Sequence, residues 1–465
     1  MKTTRRYSHC CPSDRSRQPT RGLRPGALAV ALGLGASSAC FGEALVPAGP
    51  GGVATGGEVT TGATEGGSSM GSSSATGATA YGTASDVDGG EQPSAGGDPE
   101  PCDGLWHLEL PGRSIGDLVF DEATERLFAV GNTDSAGELC GYTGTGHVLE
   151  IDTCDGTVVD ALELDYGGPG TTRLDSLVLD GSTLVATGIA VPEPREGLFA
   201  LLSTGPLVQQ AIQAVPGVND CGELYDAVLD PQGKIWAAGM YSSAPHRAWL
   251  VHDSPTTPTC GFTVELGPVW GVAVDGAQLV MATRASEPYP PQIFRVDTRC
   301  GCDCAPTFIA DLPDIDGMTP FPVDIEVVGG RYYVAGFVDL RSGTEGFVME
   351  IDPAANEWVV TDVYLTGVAS HDGVFILRPD GGERLFAAGS LDVIDYAPEA
   401  TGTGTVSALA VGDGGTHLEW ATQVLGPRTL HAMAVAHGDE GAVYVGGNST
   451  GFGHVNRCDK LGNCG

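Results

Sequence analysis

One short pattern recurs through the chain from residue 127 onward: an apolar run of four residues that ends, in six of seven copies, in glycine. It reads LFAVG at 127–131, LVATG at 184–188, IWAAG at 235–239, LVMAT at 279–283, YYVAG at 332–336, LFAAG at 385–389 and VYVGG at 443–447. Successive copies are about 53 residues apart on average, which in a chain without helical periodicity is the repeat length of propeller blades. Other short apolar segments flank each copy in fixed order. An inner strand precedes it (LVF from 118, LVL from 177, AVL from 227, VAV from 272, IEVV from 325, VFIL from 374, MAV from 433), and a third strand follows. A fourth strand completes the first six units, from VVDALEL to LEWATQVL.

The seventh unit stops after its third strand, GHVN at 453–456, while one unassigned strand, LWHLEL at 105–110, precedes the first unit. A ring closes if this N-terminal strand completes the last blade, which also removes an exposed sheet edge. The expected fold is therefore all-β: a seven-bladed β-propeller of four-stranded blades over residues 101–465. Each blade has too little core to stand alone and must bury its faces against its neighbours.

Several units resemble bacterial propeller repeats. The first, RLFAVGN…GHVLEIDTCDGTVVDALEL, resembles the YVTN repeats of surface propellers and phosphogluconolactonase-like enzymes. DPQGKIWAAGMYSS and GAVYVGGNSTGFG are more similar to SBBP-type repeats. The resemblance covers the blade framework of residues 105–465 and implies the fold. It brings no catalytic residue, because the matching positions are framework positions.

The N-terminus reads as an address. Residues 1–25 are basic, and GALAVALGLGA at 26–36 is too short to span a bilayer as a permanent helix. Ser37-Ser38-Ala39-Cys40 resembles the lipobox of bacterial lipoproteins, with Ser37 where that pattern prefers Leu. Cys40 is thus a lipidation candidate, and simple cleavage at the same small residues is the alternative. Residues 1–40 form the signal segment. Residues 41–100 are rich in Gly, Ala, Ser and Thr, with eight acids and no Lys or Arg. They cannot bury enough apolar surface to offset their ordering entropy and read as a disordered tether spanning roughly 40–50 Å. The expected location is outside the cytoplasm: the outer membrane, cell surface or periplasm, or secreted into the medium.

Charge and cysteine usage agree with that reading. The net charge is −36, and the first 40 residues are basic, so the remainder is more acidic still. Such a chain repels phosphate backbones, which argues against nucleic acid as a partner. Membrane contact is expected only through a lipid on Cys40, and the domain is expected to be monomeric. Of the 13 cysteines, ten lie in the body: Cys102, Cys140, Cys154, Cys221, Cys260, Cys300, Cys302, Cys304, Cys458 and Cys464. An even number in an exported chain points to disulfides. Cys102 precedes the closing strand, and Cys458 and Cys464 follow the last third strand, so a bond from Cys102 to one of them is expected to reinforce the ring.

The candidate site residues are acids at the starts of inner strands. Asp117, Asp226 and Asp324 share one register, and Asp175 and Asp372 are shifted by one residue. Inner-strand starts surround one mouth of a propeller's channel, with Trp270 and His431 near the two other places. Two readings are open: these carboxylates tie down backbone between blades, or they hold a cation, for which hard oxygens suit calcium. Arg113, Arg173 and Arg428 are placed to compensate blades 1, 2 and 7, leaving Asp226 and Asp324 without an evident partner. His371, Asp372 and His431 form a further, weaker acid–base candidate. Asp152, Asp253, Asp297, Asp352 and Asp413 end third strands and read as turn residues. Asp311, Asp314 and Asp316 lack the spacing of a calcium loop. No nucleophile elbow, phosphate loop or HExxH sequence occurs.

These observations favour an exported, surface-displayed binding or scaffold module for an unidentified protein or glycan ligand over an enzyme. The alternative is an exported, cation-dependent hydrolase of lactonase type using the channel-mouth carboxylates. The composition break near residue 101 predicts that limited proteolysis trims residues 1–100 and leaves a resistant body. Cleavage spread evenly through both halves would count against the boundary.

Overall fold

The computed structural model describes residues 104–133, 144–166, 172–190, 196–214, 222–241, 247–254, 257–264, 267–285, 290–300, 305–340, 343–352, 359–365, 373–391, 403–412, 415–437, 441–449 and 451–465. The signal segment and tether lie outside them, as do Cys40, Cys102, Cys140, Cys221, Cys302, Cys304, His371, Asp372 and Asp413.

Among the described residues, 28 strands form seven antiparallel four-stranded sheets, six of them meanders of consecutive strands. The inner strands are Arg113–Asp121, Thr172–Asp180, Gly222–Leu229, Val269–Asp275, Phe321–Val328, Gly373–Pro379 and Thr429–Val435. Each packs against the next, and the seventh packs against the first, so the ring is closed. Burial follows radial position. The second strand of blade 2, Thr183–Ala190, is buried at every residue but its first, because both of its faces meet another sheet. The fourth strand of blade 1, Val158–Leu164, alternates between exposed and half-buried residues along most of its length. The repeating apolar runs of the sequence are these second strands.

The apolar core is not one mass but seven layers, one at each joint between successive sheets. Between blades 1 and 2 the layer includes Phe128, Val148, Leu174, Leu184 and Leu198. Between blades 7 and 1 it includes Trp106, Leu110, Leu127, Leu149, Tyr444 and Val455. A fully buried Leu or Phe side chain contributes about 1.5–3 kcal/mol. The layers, rather than any interaction within a single sheet, therefore hold the body together.

Ring closure takes the expected form. Trp106–Pro111 pairs with Phe452–Asp459, from Trp106 opposite Arg457 to Pro111 opposite Phe452. This makes the N-terminal strand the outer strand of blade 7. Trp106 packs 6.0 Å, ring to ring, from Tyr444 of its own blade and reaches forward into blade 1, where its Nε1–H donates to the Thr153 carbonyl at 2.9 Å.

The expected covalent reinforcement is corrected. Cys458 bonds to Cys464, six residues away, so neither is available to Cys102. A loop that short removes about 2 kcal/mol of unfolded-state entropy, against about 6 for a ring-spanning bond. Closure thus rests on strand pairing and on Trp106. Cys154 and Cys300 are also disulfide-bonded. Trp106→Ala should lower stability by about 3–5 kcal/mol, read as a reduced urea midpoint with unchanged slope. A loss below about 1 kcal/mol would show that Trp106 does not secure the closing blade.

Candidate ligand site at the channel mouth

Every inner strand carries one β-bulge. Its pairing with the second strand skips a single residue, between 115 and 117, 174 and 176, 224 and 226, 269 and 271, 322 and 324, 374 and 376, and 430 and 432. The skipped residues are Gly116, Asp175, Tyr225, Trp270, Val323, Phe375 and His431, and all seven line one cavity of about 760 Å³. A bulge re-aims a side chain, and here it turns one residue per blade toward the channel mouth.

The recurring glycine is the imprint of this bulge. A β-carbon on Gly131 would stand 1.8 Å from the Ser114 carbonyl oxygen, and one on Gly239 equally close to that of Glu223. Gly188, Gly336, Gly389 and Gly447 meet the same obstruction at 1.8–2.0 Å. Blade 4 departs from the pattern, with Thr283 opposite Val269. The sequence motif that reveals the fold thus also marks where each mouth residue emerges.

One step deeper lie Asp117, Ser176, Asp226, Gly271, Asp324, Ile376 and Ala432, the residues that resume pairing. The expected register of Asp117, Asp226 and Asp324 is observed, and so is the one-residue offset of Asp175, which belongs to the bulged ring. Each in-register aspartate bridges two blades. Asp117 accepts the N–H of Leu118 at 2.8 Å through Oδ1 and that of Leu177, on the next blade, at 2.9 Å through Oδ2. Asp226 does the same with Ala227 and Val272, and Asp324 with Ile325 and Leu377. In blade 2 the Ser176 hydroxyl takes this place and accepts the Ala227 N–H at 3.1 Å. Asn132 and Asn448 make a second kind of joint. Each side chain exchanges two hydrogen bonds with the backbone of the next blade, at Leu174 and Ile115 respectively.

The supposed lack of a partner for Asp324 is also corrected, and the same cation draws on Asp226 electrostatically. Arg378, from the inner strand of blade 6, reaches the channel centre. Its guanidinium lies 3.1 Å from Glu326, 3.6 Å from Asp117 and 3.7 Å from Asp324. Arg378 and Asp226 line both the mouth cavity and a second cavity of about 340 Å³, so they stand between the two. Sequence reasoning missed Arg378 and Glu326, although each is a charged residue interrupting an apolar inner strand, two positions beyond Ile376 and Asp324. Period-two alternation places both on the channel side. Of the arginines proposed from sequence, Arg173 does pair with Asp175, Nε to Oδ1 at 2.7 Å. Arg113 instead stands 3.8 Å from the exposed Glu163.

Four carboxyls around one guanidinium cannot all ionise cheaply. Burial pushes Asp117, Asp226, Asp324 and Glu326 upward against the opposing pull of Arg378, with Asp226 at about 7 and Glu326 at about 8. Burial works against the charge on Arg378, but the surrounding acids outweigh it and keep it protonated.

Around the rim, chemistry divides into two arcs. Blades 3 to 6 supply aromatic rings. Tyr225 stacks on Trp270 at 4.7 Å, and Arg284 lies 4.2 Å over the Trp270 ring. Phe321 stacks on Phe337 at 5.2 Å, and Phe337 meets Phe375 at 6.4 Å. Blades 7, 1 and 2 supply polar groups. His431 Nε2 lies against the Ile115 carbonyl, which can only accept, so that nitrogen carries the proton. Burial lowers the His431 pKa and keeps the ring neutral. Asp175 Oδ2 is buried without a hydrogen-bond partner, and burial raises this carboxyl too. The Tyr225 hydroxyl donates to Glu223 at 2.7 Å.

Asp152, Asp297 and Asp316 resolve into turns. Asp152 Oδ1 accepts the Cys154 N–H, and Asp297 Oδ1 the Arg299 N–H. Asp316 and Gly317, both at positive φ, form the tip of a tight turn closed by Ile315 and Met318. Among the described residues no group of three His, Cys, Asp or Glu is placed to hold a metal ion.

The central carboxyls make stability pH-dependent. Their native pKa values are raised above the value near 4 of an unfolded chain, so between about pH 4 and 8 the native state binds more protons than the unfolded state. Stability should therefore fall as pH rises through that window, and Glu326→Gln should flatten the fall. Urea midpoints of wild type and variant at pH 5, 7 and 8.5 check this. Parallel curves would show that the cluster does not titrate with folding.

No protein-family profile and no curated protein sequence matches the chain. Solved structures with a similar fold include a luciferin-regenerating enzyme, 14% identical over 66% of this chain and 96% of that one, with a TM-score of 0.42. A putative 6-phosphogluconolactonase from Bacteroides uniformis is 13% identical over 65% of this chain and 83% of that one, with a TM-score of 0.42. The structure of YjhT is 11% identical over 67% and 98%, with a TM-score of 0.39.

Proposed function

We propose that this chain is an exported binding module that takes a small ligand in the mouth of its propeller channel. The observation that carries this reading is the division of labour between the two rings. The in-register acids, which a hydrolase would use to hold a cation or move a proton, accept backbone N–H groups of the next blade or face Arg378. The bulged ring above them carries six different side chains and one glycine around a recess. A recess with a constant frame and a varied wall suits recognition. Catalysis by Asp117, Asp226 or Asp324 would first have to release the joints between blades.

Export is supported by the basic and apolar segment at 1–36 and by disulfide bonding at Cys154, Cys300 and Cys458–Cys464. The acidic tether at 41–100, anchored through Cys40 if that residue is acylated, would hold the propeller clear of the cell surface.

Saturation-transfer NMR with a fragment set of sugars, organic ammonium ions, carboxylates and lactones tests the reading. Binders should compete with one another and be lost in Trp270→Ala and in Phe375→Ala, each confirmed as folded by its melting curve. Two results would favour the enzyme instead: lactone turnover that Asp226→Asn abolishes, or binders indifferent to both aromatic substitutions.

A further inference from the structure

We infer that the mouth selects an amphiphilic organic cation, a primary ammonium on an apolar body, with the ammonium at Asp175 and the apolar part against Tyr225, Trp270 and Phe375. The inference rests on the reading of the mouth as a ligand site and specifies its ligand class.

Three independent features converge on it. The first is the charge of the wall. Asp117, Asp175, Asp226 and Asp324 line the cavity against Arg173 and Arg378, with Arg284 over the Trp270 ring at its rim. In a chain of net charge −36 the recess therefore presents a negative field that draws cations and repels anions.

The second is an unmet hydrogen bond. Asp175 lines the cavity, Arg173 occupies its Oδ1, and its Oδ2 is buried with no partner. A buried acceptor without a donor is costly, more so when charged. An ammonium supplies three N–H donors and a compensating charge. A neutral ligand supplies no charge, and a carboxylate supplies a repulsion.

The third is the aromatic arc, which begins one blade away from Asp175 and runs through Tyr225 and Trp270 to Phe375. A bare metal ion makes no use of such a wall. A cavity of about 760 Å³ is also far larger than an ion requires, and the described residues offer no three-ligand group. Aromatic surface beside carboxylates fits a ligand with one apolar and one cationic end.

Binding is linked to protons. A cation stabilises the ionised carboxyls, so it expels protons that the empty mouth retains around neutral pH, where Asp226 titrates at about 7. Affinity for the cation should accordingly rise with pH, whereas affinity for a neutral isostere should not.

Titration calorimetry with benzylammonium, benzyl alcohol and benzoate tests the proposal on the whole chain. Benzylammonium should bind at least about tenfold more tightly than benzyl alcohol, and benzoate should not bind. Its affinity should rise from pH 6 to pH 8, with a heat that changes between buffers of different ionisation enthalpy, which needs no variant. Asp175→Asn, folded by its melting curve, should erase the preference for the cation. Equal affinity for benzyl alcohol, or a pH-independent affinity for benzylammonium, overturns the proposal. So does a lack of benzylammonium binding at millimolar concentration. In that case other mouth binders from the NMR screen would leave the ligand-site reading standing, and a screen without any would remove both.

Discussion

The contact between a second-strand glycine and the inner-strand carbonyl beside it underlies both the ring and the site. In six blades the carbonyl occupies the space where a β-carbon would sit, at 1.8–2.0 Å from its ideal position. That approach accompanies a bulge, and the bulge does two things at once. It turns one residue toward the channel mouth, and it brings the following residue into register with the next blade. Recognition and assembly are thereby separated by one step along the same strand. The bulged residue is free to vary, as Gly116, Tyr225, Trp270 and His431 illustrate. The next is constrained wherever it must accept the neighbour's N–H, as at Asp117, Ser176, Asp226 and Asp324.

The joints are chemically uneven around the ring. Aspartates bridge blades 1 to 2, 3 to 4 and 5 to 6, and Asn448 bridges 7 to 1. Blade 4 has Gly271 at the bridging position, where the Asp324 backbone comes so close that a β-carbon would stand 2.6 Å from its Cα. Three aspartates and Glu326 facing a narrow channel repel one another. Arg378 relieves this from the centre, and incomplete ionisation relieves it further. The acidic interior is thus a consequence of using carboxylates as backbone acceptors, moderated by one guanidinium. It also leaves the mouth lined by more carboxyls than guanidinium groups, the property on which its ligand preference turns.

Much of the fold was legible because it is written in repetition. The apolar run before each glycine marks the second strand, buried on both faces. A missing strand at one end and a spare one at the other implied closure by Trp106–Pro111. The offset between Asp175 and the register of Asp117, Asp226 and Asp324 was legible too, since it follows from counting along aligned repeats. What escaped notice were single residues whose partners come from other blades. Arg378 is an unremarkable arginine in sequence, and only the ring brings it to Asp117, some 260 residues away in the chain. The cysteine expectation failed for the opposite reason. Cys458 and Cys464, six residues apart, are bonded to each other rather than to a distant partner.

The sequence by itself determined the architecture, because strand number, order and closure depend on local patterns that recur with a fixed period and need no long-range information. Tertiary structure decided which charges meet. Arg378, Glu326 and Asp226 lie on three different blades, and their mutual electrostatics exist only once the channel encloses them. Whether a carboxyl becomes a joint, a counter-ion or a ligand contact depends on a one-residue choice at the bulge and on what the neighbouring blade places opposite it. Distances of a few ångströms across the channel set that outcome, and no spacing along the chain encodes them.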